Sequence, residues 1–165
     1  MHQCLRHAAW CIALLSGIAF AQETPAGTTR NLVSSGQPTQ ADLRAAAARG
    51  VTTVIDLRAP EEPRGYAQIA AADALGLRYV RLPIRNADAL TPEAARVLQR
   101  VLDQQQQGTV LLHCASGNRA GALLALLAAR EGASPEQALQ IGREAGMQPS
   151  LEAAVRKQLG VEPQR

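Results

Sequence analysis

From residue 31 onward the chain switches repeatedly between two apolar rhythms. Asn31 to Ser35 is a short β-like run, broken by Ser35-Gly36-Gln37-Pro38. Thr39 begins a helix over 40–49, with Asp42 three residues on to complete a capping box and Gly50 as the stop. Val51 to Leu57 (VTTVIDL) is mostly β-branched and apolar, the pattern of a buried strand. A charged, proline-bearing stretch, Arg58 to Arg64, leads to a helix over Tyr66–Leu75 and a strand over Leu77–Ile84. Thr91-Pro92-Glu93 supplies an N-cap, a proline at the first helical position and an acid in the first turn of a helix reaching about Gln106. Thr109–His113 is another strand, Ala120–Arg130 a strongly apolar helix, and Ser134 and Ser150 cap two more helices. Strands alternating with helices predict an α/β fold: three layers, α/β/α, around a mostly parallel sheet of about four to five strands. In such sheets ligands bind beyond the carboxyl ends of the strands, so the segments at 36–38, 56–64, 84–90 and 113–119 become the places to look.

The first 21 residues follow neither rhythm. Arg6 and His7 precede an apolar run from Ala8 to Phe20, interrupted at Ser16 and Gly17 and closed by Ala19-Phe20-Ala21. A basic start, a short apolar stretch and a small-x-small end describe a secretory signal peptide, cleaved after Ala21, and imply a periplasmic or secreted product. The alternative is an uncleaved anchor or a buried helix, although the run is shorter than a bilayer span requires. Residues 22–30 then form a polar lead-in, and residues 31–165 one domain. This changes the inventory. Of three cysteines only Cys114 remains, of three histidines only His113, and the net charge of +3 falls by the one arginine lost. A single exported thiol forms no internal disulfide, and a single histidine argues against a histidine-based metal centre, so neither metal nor other cofactor is expected. A slight basic excess with 2% aromatic residues lacks the dense basic stripe and stacking platforms of a nucleic-acid binder. No stable membrane insertion is expected once the signal is removed.

The remaining thiol lies in the most informative run of the chain, His113-Cys114-Ala115-Ser116-Gly117-Asn118-Arg119-Ala120-Gly121, between a strand and a helix. Residues 115–119 form a tight loop whose N–H groups can converge, and the helix end adds a partial positive charge: an anion site. Arg119 brings a fork suited to two oxygens of a phosphate, and Cys114 a nucleophile. The bland reading is a buried cysteine ending a core strand, with Gly117 a turn residue and Arg119 a surface charge.

This run, with its His-Cys-x-x-Gly and Arg-x-Gly elements, resembles the cysteine-dependent protein tyrosine and dual-specificity phosphatases. Ser35-Gly36-Gln37-Pro38-Thr39, Val54-Ile55-Asp56-Leu57-Arg58 with Pro60-Glu61-Glu62, and Leu82-Pro83-Ile84 extend the resemblance to a bacterial group similar to the phosphatase-like part of β-lactamase-hydrolase-like proteins. It covers roughly residues 31–130 and implies a phosphotyrosine-phosphatase-like fold. It implies Cys114 as nucleophile, Arg119 and the loop Ala115, Ser116, Gly117 and Asn118 as the phosphate cradle, and His113 as the residue that orients the loop. It also implies an aspartate on the loop after the preceding strand as general acid. Asp88 fits that place best and Asp56 is the runner-up; each has a structural alternative, as a solvated loop acid or a partner of Arg58. Two departures stand beside the resemblance. Four residues separate Cys114 from Arg119, one fewer than in those phosphatases and similar to rhodaneses. Ala120 stands where a serine or threonine is usual, leaving Ser116 or Asn118 as substitutes.

Three functions are therefore in play. The first is an exported cysteine-dependent phosphatase acting on a phosphorylated protein or a small phosphate ester. The second is a rhodanese-like sulfurtransferase carrying a persulfide on Cys114. The third is a non-catalytic anion-binding module. Arg58 and Arg85, at strand ends on the site face, are expected either to attract an anionic substrate or to form ion pairs.

Overall fold

A computed structural model describes residues 31–105 and 108–161; residues 1–30, read above as a signal peptide and a polar lead-in, lie outside the described residues. The order is β1 (Leu32–Ser35), α1 (Gln40–Ala48), β2 (Val51–Asp56), α2 (Gln68–Asp73), β3 (Arg78–Arg81), a 3-10 turn (Ala87–Ala89), α3 (Pro92–Asp103), β4 (Thr109–His113), α4 (Asn118–Arg130), α5 (Pro135–Glu144) and α6 (Pro149–Leu159). Among the described residues the strands form one sheet in the order β1-β4-β2-β3, and each neighbouring pair is parallel. The α/β architecture read from the sequence is the observed one.

Side-chain alternation builds the two outer layers. Val54 of β2 and Leu111 of β4 join Leu43 and Ala46 of α1 and Ala72 of α2 on one face. Ile55, Val110 and Leu112 join Leu98 of α3, Leu123 and Leu126 of α4 and Leu139 of α5 on the other. Both central strands are thus covered on both faces, as their runs of buried apolar residues require. α4 is the helix around which the second face is organised, and glycines let α5 approach it. A Cβ on Gly121 would lie 2.3 Å from the Met147 nitrogen, and one on Gly142 2.8 Å from the Ala125 side chain.

Thr39 and Ser134 form the predicted cap and capping boxes of α1 and α5, and Thr91 caps α3. Other boundaries differ. α3 closes at Asp103, short of its expected end. α2 begins at Gln68, after Ala67 whose ψ of 73° lies outside the helical region, and the Tyr66 hydroxyl before it donates to the Pro38 carbonyl at 3.0 Å. β3 is four residues long, though Leu82 and Ile84 still donate to the Asp56 and Leu57 carbonyls. Ser150 does not cap α6. Pro149, pre-shaped for the first helical position, starts the helix two residues earlier with Gln148 as N-cap.

Candidate active site

All four strands point their carboxyl ends at one place. After β4 the chain turns at Gly117, whose φ of 90° places it in the left-handed region that glycine occupies without strain. That turn aims the Gly117 N–H at the Cys114 sulfur, 3.1 Å away, and makes Gly117 the N-cap of α4. The helix end adds its partial positive charge at the same point. Cys114 is fully buried, while Ala115 and Ser116 are exposed on the rim. The segment after β1 lies against this rim. Gln37 N–H donates to the Ala115 carbonyl at 3.0 Å, and Gly36 bridges to Ser116. A Cβ on Gly36 would stand 3.1 Å from the Ala115 oxygen, so the close approach depends on glycine there.

Arg119 lies in the first turn of α4 and is held from two sides. Its Nη1 and Nη2 donate to the two carboxylate oxygens of Glu62, both at 2.6 Å, and Nη1 also donates to the Ile84 carbonyl at 2.9 Å. A guanidinium has five N–H donors in a planar fork. These contacts use the Nη1–Nη2 edge and the second Nη1 hydrogen, which leaves the parallel pair on Nε and Nη2 with no oxygen acceptor among the described residues, the Cys114 sulfur lying within reach of the guanidinium. Two such donors match two oxygens of a tetrahedral oxyanion. Glu62 holds the Arg119 pKa above its ordinary value, burial opposes this, and the Cys114 sulfur adds to the rise. In return Arg119 holds the Glu62 carboxyl below the usual carboxylate range.

Glu62 was missed from the sequence as a site residue. It belongs to the 56–64 segment expected to face a ligand, and an acid on such a loop is the signal that could have found it. The loop is braced by Arg64, which donates to the Pro60, Glu62 and Ala59 carbonyls.

Below the rim lies a buried polar knot. Arg58, expected as a substrate-attracting residue or an ion-pair partner, is 1% exposed. Its Nε and Nη2 donate to the two Asp56 oxygens at 2.9 and 3.0 Å, Nη1 to Gln37 and the Pro63 carbonyl, and Nη2 also to Gln68. Every donor is taken, so this guanidinium has nothing left for a ligand. Asp56, the runner-up acid, receives in addition the Arg58 backbone N–H and the Tyr79 hydroxyl at 2.7 Å. Burial alone would raise its pKa, but Arg58 and Tyr79 bring it down to about 2. A carboxylate held that firmly in its ionised form has no proton to give to a leaving group at neutral pH. Burial raises the Tyr79 hydroxyl, reinforced by Asp56.

His113 is also fully buried, with Nε2 3.0 Å from the Gln68 amide nitrogen and Nδ1 3.3 Å from the Cys114 carbonyl. Burial holds its pKa below the ordinary imidazole value, against the pull of Asp56 at 4.0 Å. Asp88 sits in the exposed 3-10 turn, which Asn86 caps by accepting from the Ala89 N–H at 3.2 Å. Its carboxyl has no partner among the described residues, and its loop is tied to the site where Arg119 grips Ile84. Arg85 is exposed and paired with Glu61 on the same rim. Asn118 is unavailable as a replacement for the missing hydroxyl after Arg119. Its amide accepts from the Gln148 N–H at 2.8 Å and donates to the Ser150 hydroxyl at 2.9 Å, fastening α6 to the loop.

A cavity of about 440 Å³, lined by Gln37, Pro38, Thr39, Gln40, Gly65 and Tyr66, opens beside this rim.

The chain is similar to known proteins along this same framework. A family model described as "DSP-PTPase phosphatase fused to NAD+ Kinase" matches residues 19–157. A β-lactamase hydrolase-like protein of Xylella fastidiosa is 36% identical over 99 residues, 58% of this chain and 22% of that one. The chain therefore spans about a fifth of the length of the curated relatives it matches. Among solved structures, a candidate phosphatase from Neisseria meningitidis superposes with a TM-score of 0.65 at 24% identity, covering 78% of this chain and 94% of that one. A DUF442 protein from Shewanella putrefaciens gives 0.59 at 22% identity, covering 79% and 85%. A cysteine-to-serine variant of P. aeruginosa TpbA in complex with phosphotyrosine gives 0.55 at 18% identity, covering 80% of each chain. These likenesses establish a phosphotyrosine-phosphatase-like fold.

Proposed function

The chain belongs to the family of DSP-PTPase phosphatases fused to NAD+ kinase, and on that premise we propose that it hydrolyses phosphate monoesters through a phosphocysteine on Cys114. The observation that carries the reading is the open Nε–Nη2 edge of Arg119, left free by Glu62 and Ile84, beside a cysteine whose sulfur meets the amide at the start of α4. The free edge and the loop N–H groups hold the non-bridging oxygens of the ester. Cys114 attacks phosphorus, so a sulfur–phosphorus bond forms as the phosphorus–ester oxygen bond breaks, and Asp88 gives the departing oxygen its proton. Water then attacks phosphorus and gives a proton to the Asp88 carboxylate, which returns Cys114 as the thiolate and releases inorganic phosphate. Charge stabilisation by prearranged donors supplies the largest part of the acceleration. Asp88 is favoured over Asp56 because it is exposed and unpaired, whereas Asp56 is locked in the buried knot.

The substrate is a phosphorylated protein or a small phosphate ester, a class supported by the phosphotyrosine bound to the P. aeruginosa relative. The pattern of residues 1–21 supports action outside the cytoplasm. The four-residue spacing from Cys114 to Arg119 favours a second reading, transfer of sulfane sulfur from thiosulfate through a cysteine persulfide.

A paired assay of aryl phosphate hydrolysis and thiosulfate-to-cyanide transfer separates the two. The phosphatase reading expects hydrolysis, reduced at least about a thousandfold in Cys114→Ser; transfer without hydrolysis overturns it. Asp88→Asn should slow an alkyl phosphate about tenfold or more while leaving a good aryl leaving group nearly untouched. Equal rates on both would remove Asp88 from the mechanism.

A further inference from the structure

The buried knot reaches the cysteine through a residue the sequence did not mark. Gln68, in α2, is 1% exposed and stands between Arg58 and His113. A guanidinium can only donate, so the Gln68 oxygen must face Arg58. The amide nitrogen then faces Nε2 of His113 at 3.0 Å, and an N–H donor there requires a lone pair on the ring. The ring proton is thereby assigned to Nδ1, which lies 3.3 Å from the Cys114 carbonyl and donates to it. Each hydrogen-bond direction follows from the one before, starting at the permanent charge of Arg58. Because the peptide is planar and trans, turning the Cys114 carbonyl toward His113 aims the Ala115 N–H the opposite way, away from the buried histidine.

We propose that Gln68 is a positioning residue for the reaction at Cys114: it holds His113 as the neutral Nδ1–H tautomer, and the histidine in turn fixes the first peptide of the anion loop. The proposal rests on the phosphatase reading for its effect on rate, but not for its effect on His113. A second proton on the ring would bring an N–H against the Gln68 N–H. The charged groups around the ring are Asp56 from β2, Arg58 and Arg64 from the loop that follows it, and the Cys114 thiol next along the chain.

The variant that reads this is Gln68→Glu in the full chain. It keeps an acceptor for Arg58 but turns the donor facing His113 into an acceptor, so the ring must present an N–H at Nε2. Nitrogen-15 histidine spectra, with the His113 signal identified by its absence in His113→Asn, report the tautomer directly. The wild type should keep the neutral Nδ1–H form to below pH 6.5, the ordinary histidine value. Gln68→Glu should show a doubly protonated or Nε2–H ring near neutrality. Its kcat on aryl phosphate should fall roughly five- to tenfold, the scale of one neutral hydrogen bond, with little change in KM. The pH dependence of kcat and of Cys114 alkylation by iodoacetate should gain an ionisation.

A wild-type ring that is cationic or Nε2–H at neutral pH overturns the proposal without any variant, so a poorly folded Gln68→Glu does not shield it. An unchanged spectrum and pH profile in a folded Gln68→Glu overturns it as well. If the wild type hydrolyses no phosphate ester yet the tautomer and alkylation profile respond as described, the phosphatase reading fails and Gln68's control of His113 stands.

Discussion

Of the arginine–carboxylate pairs at the carboxyl end of the sheet, one lies in the buried knot and another on the anion loop, and the two differ in how they are used. In the knot, Arg58 and Asp56 have fully buried side chains and every guanidinium N–H is bound within the protein. On the loop, Arg119 and Glu62 have side chains 14% and 26% exposed, and one edge of the guanidinium meets no oxygen acceptor among the described residues. The ion pair is chemically the same in both places. What separates a structural arginine from a ligand-binding one is saturation: a planar fork with all five donors engaged fixes the backbone around it, and one with two parallel donors free can hold an oxyanion.

Breaking the knot should have the largest effect. Arg58→Met leaves the buried Asp56 carboxylate without its main partner, which typically costs about 3–5 kcal/mol. Urea denaturation should show that loss, and a change below about 1 kcal/mol would mean the pair does not anchor this end of the sheet. Arg119→Lys inverts the pattern. A lysine cannot offer two parallel donors, so kcat/KM on aryl phosphate should drop roughly a hundred- to a thousandfold, while the urea midpoint stays close to wild type. Large losses of both activity and stability in both variants would erase the distinction.

The smallest expected effect comes from titrating the knot. The Asp56 pKa is lowered to about 2, so its contribution is fully present above its unfolded value near 4 and is lost as pH falls through about 2. Stability should therefore decline by on the order of 2 kcal/mol across that window from this group. The decline should be absent in Asp56→Asn with Arg58→Met. His113 contributes in a different window. Its folded pKa is depressed by burial, so its share is complete above pH 6.5 and lost as pH falls toward the folded value.

The parallel sheet, its order of elements and the loop from Cys114 to Arg119 were readable because their signals are contiguous: apolar runs, caps, and a nucleophile, turn glycine and arginine within six residues. Glu62 was not readable in the same way. It lies 57 residues before Arg119, and only the fold brings the two carboxylate oxygens to 2.6 Å. Gln68 has no charge and no motif, and its place between Arg58 and His113 follows from α2 packing beside the sheet. Ser150 shows the same limit on a smaller scale. It reads as a cap, yet Pro149 starts the helix and Asn118 takes up its hydroxyl.

By itself, then, the sequence determined which residues could carry the chemistry, since hydrophobic period, capping and the strand–Cys–loop–Arg–helix order are local properties of the chain. Tertiary structure alone decided which of them are free to do so. Arg58, just after β2, and Arg119, in the first turn of α4, are the same residue type near the same end of the sheet, and what distinguishes them is how many of their hydrogen-bond donors the rest of the fold consumes. Burial depth and partner count arise where distant segments meet, so they are not properties of any stretch of sequence.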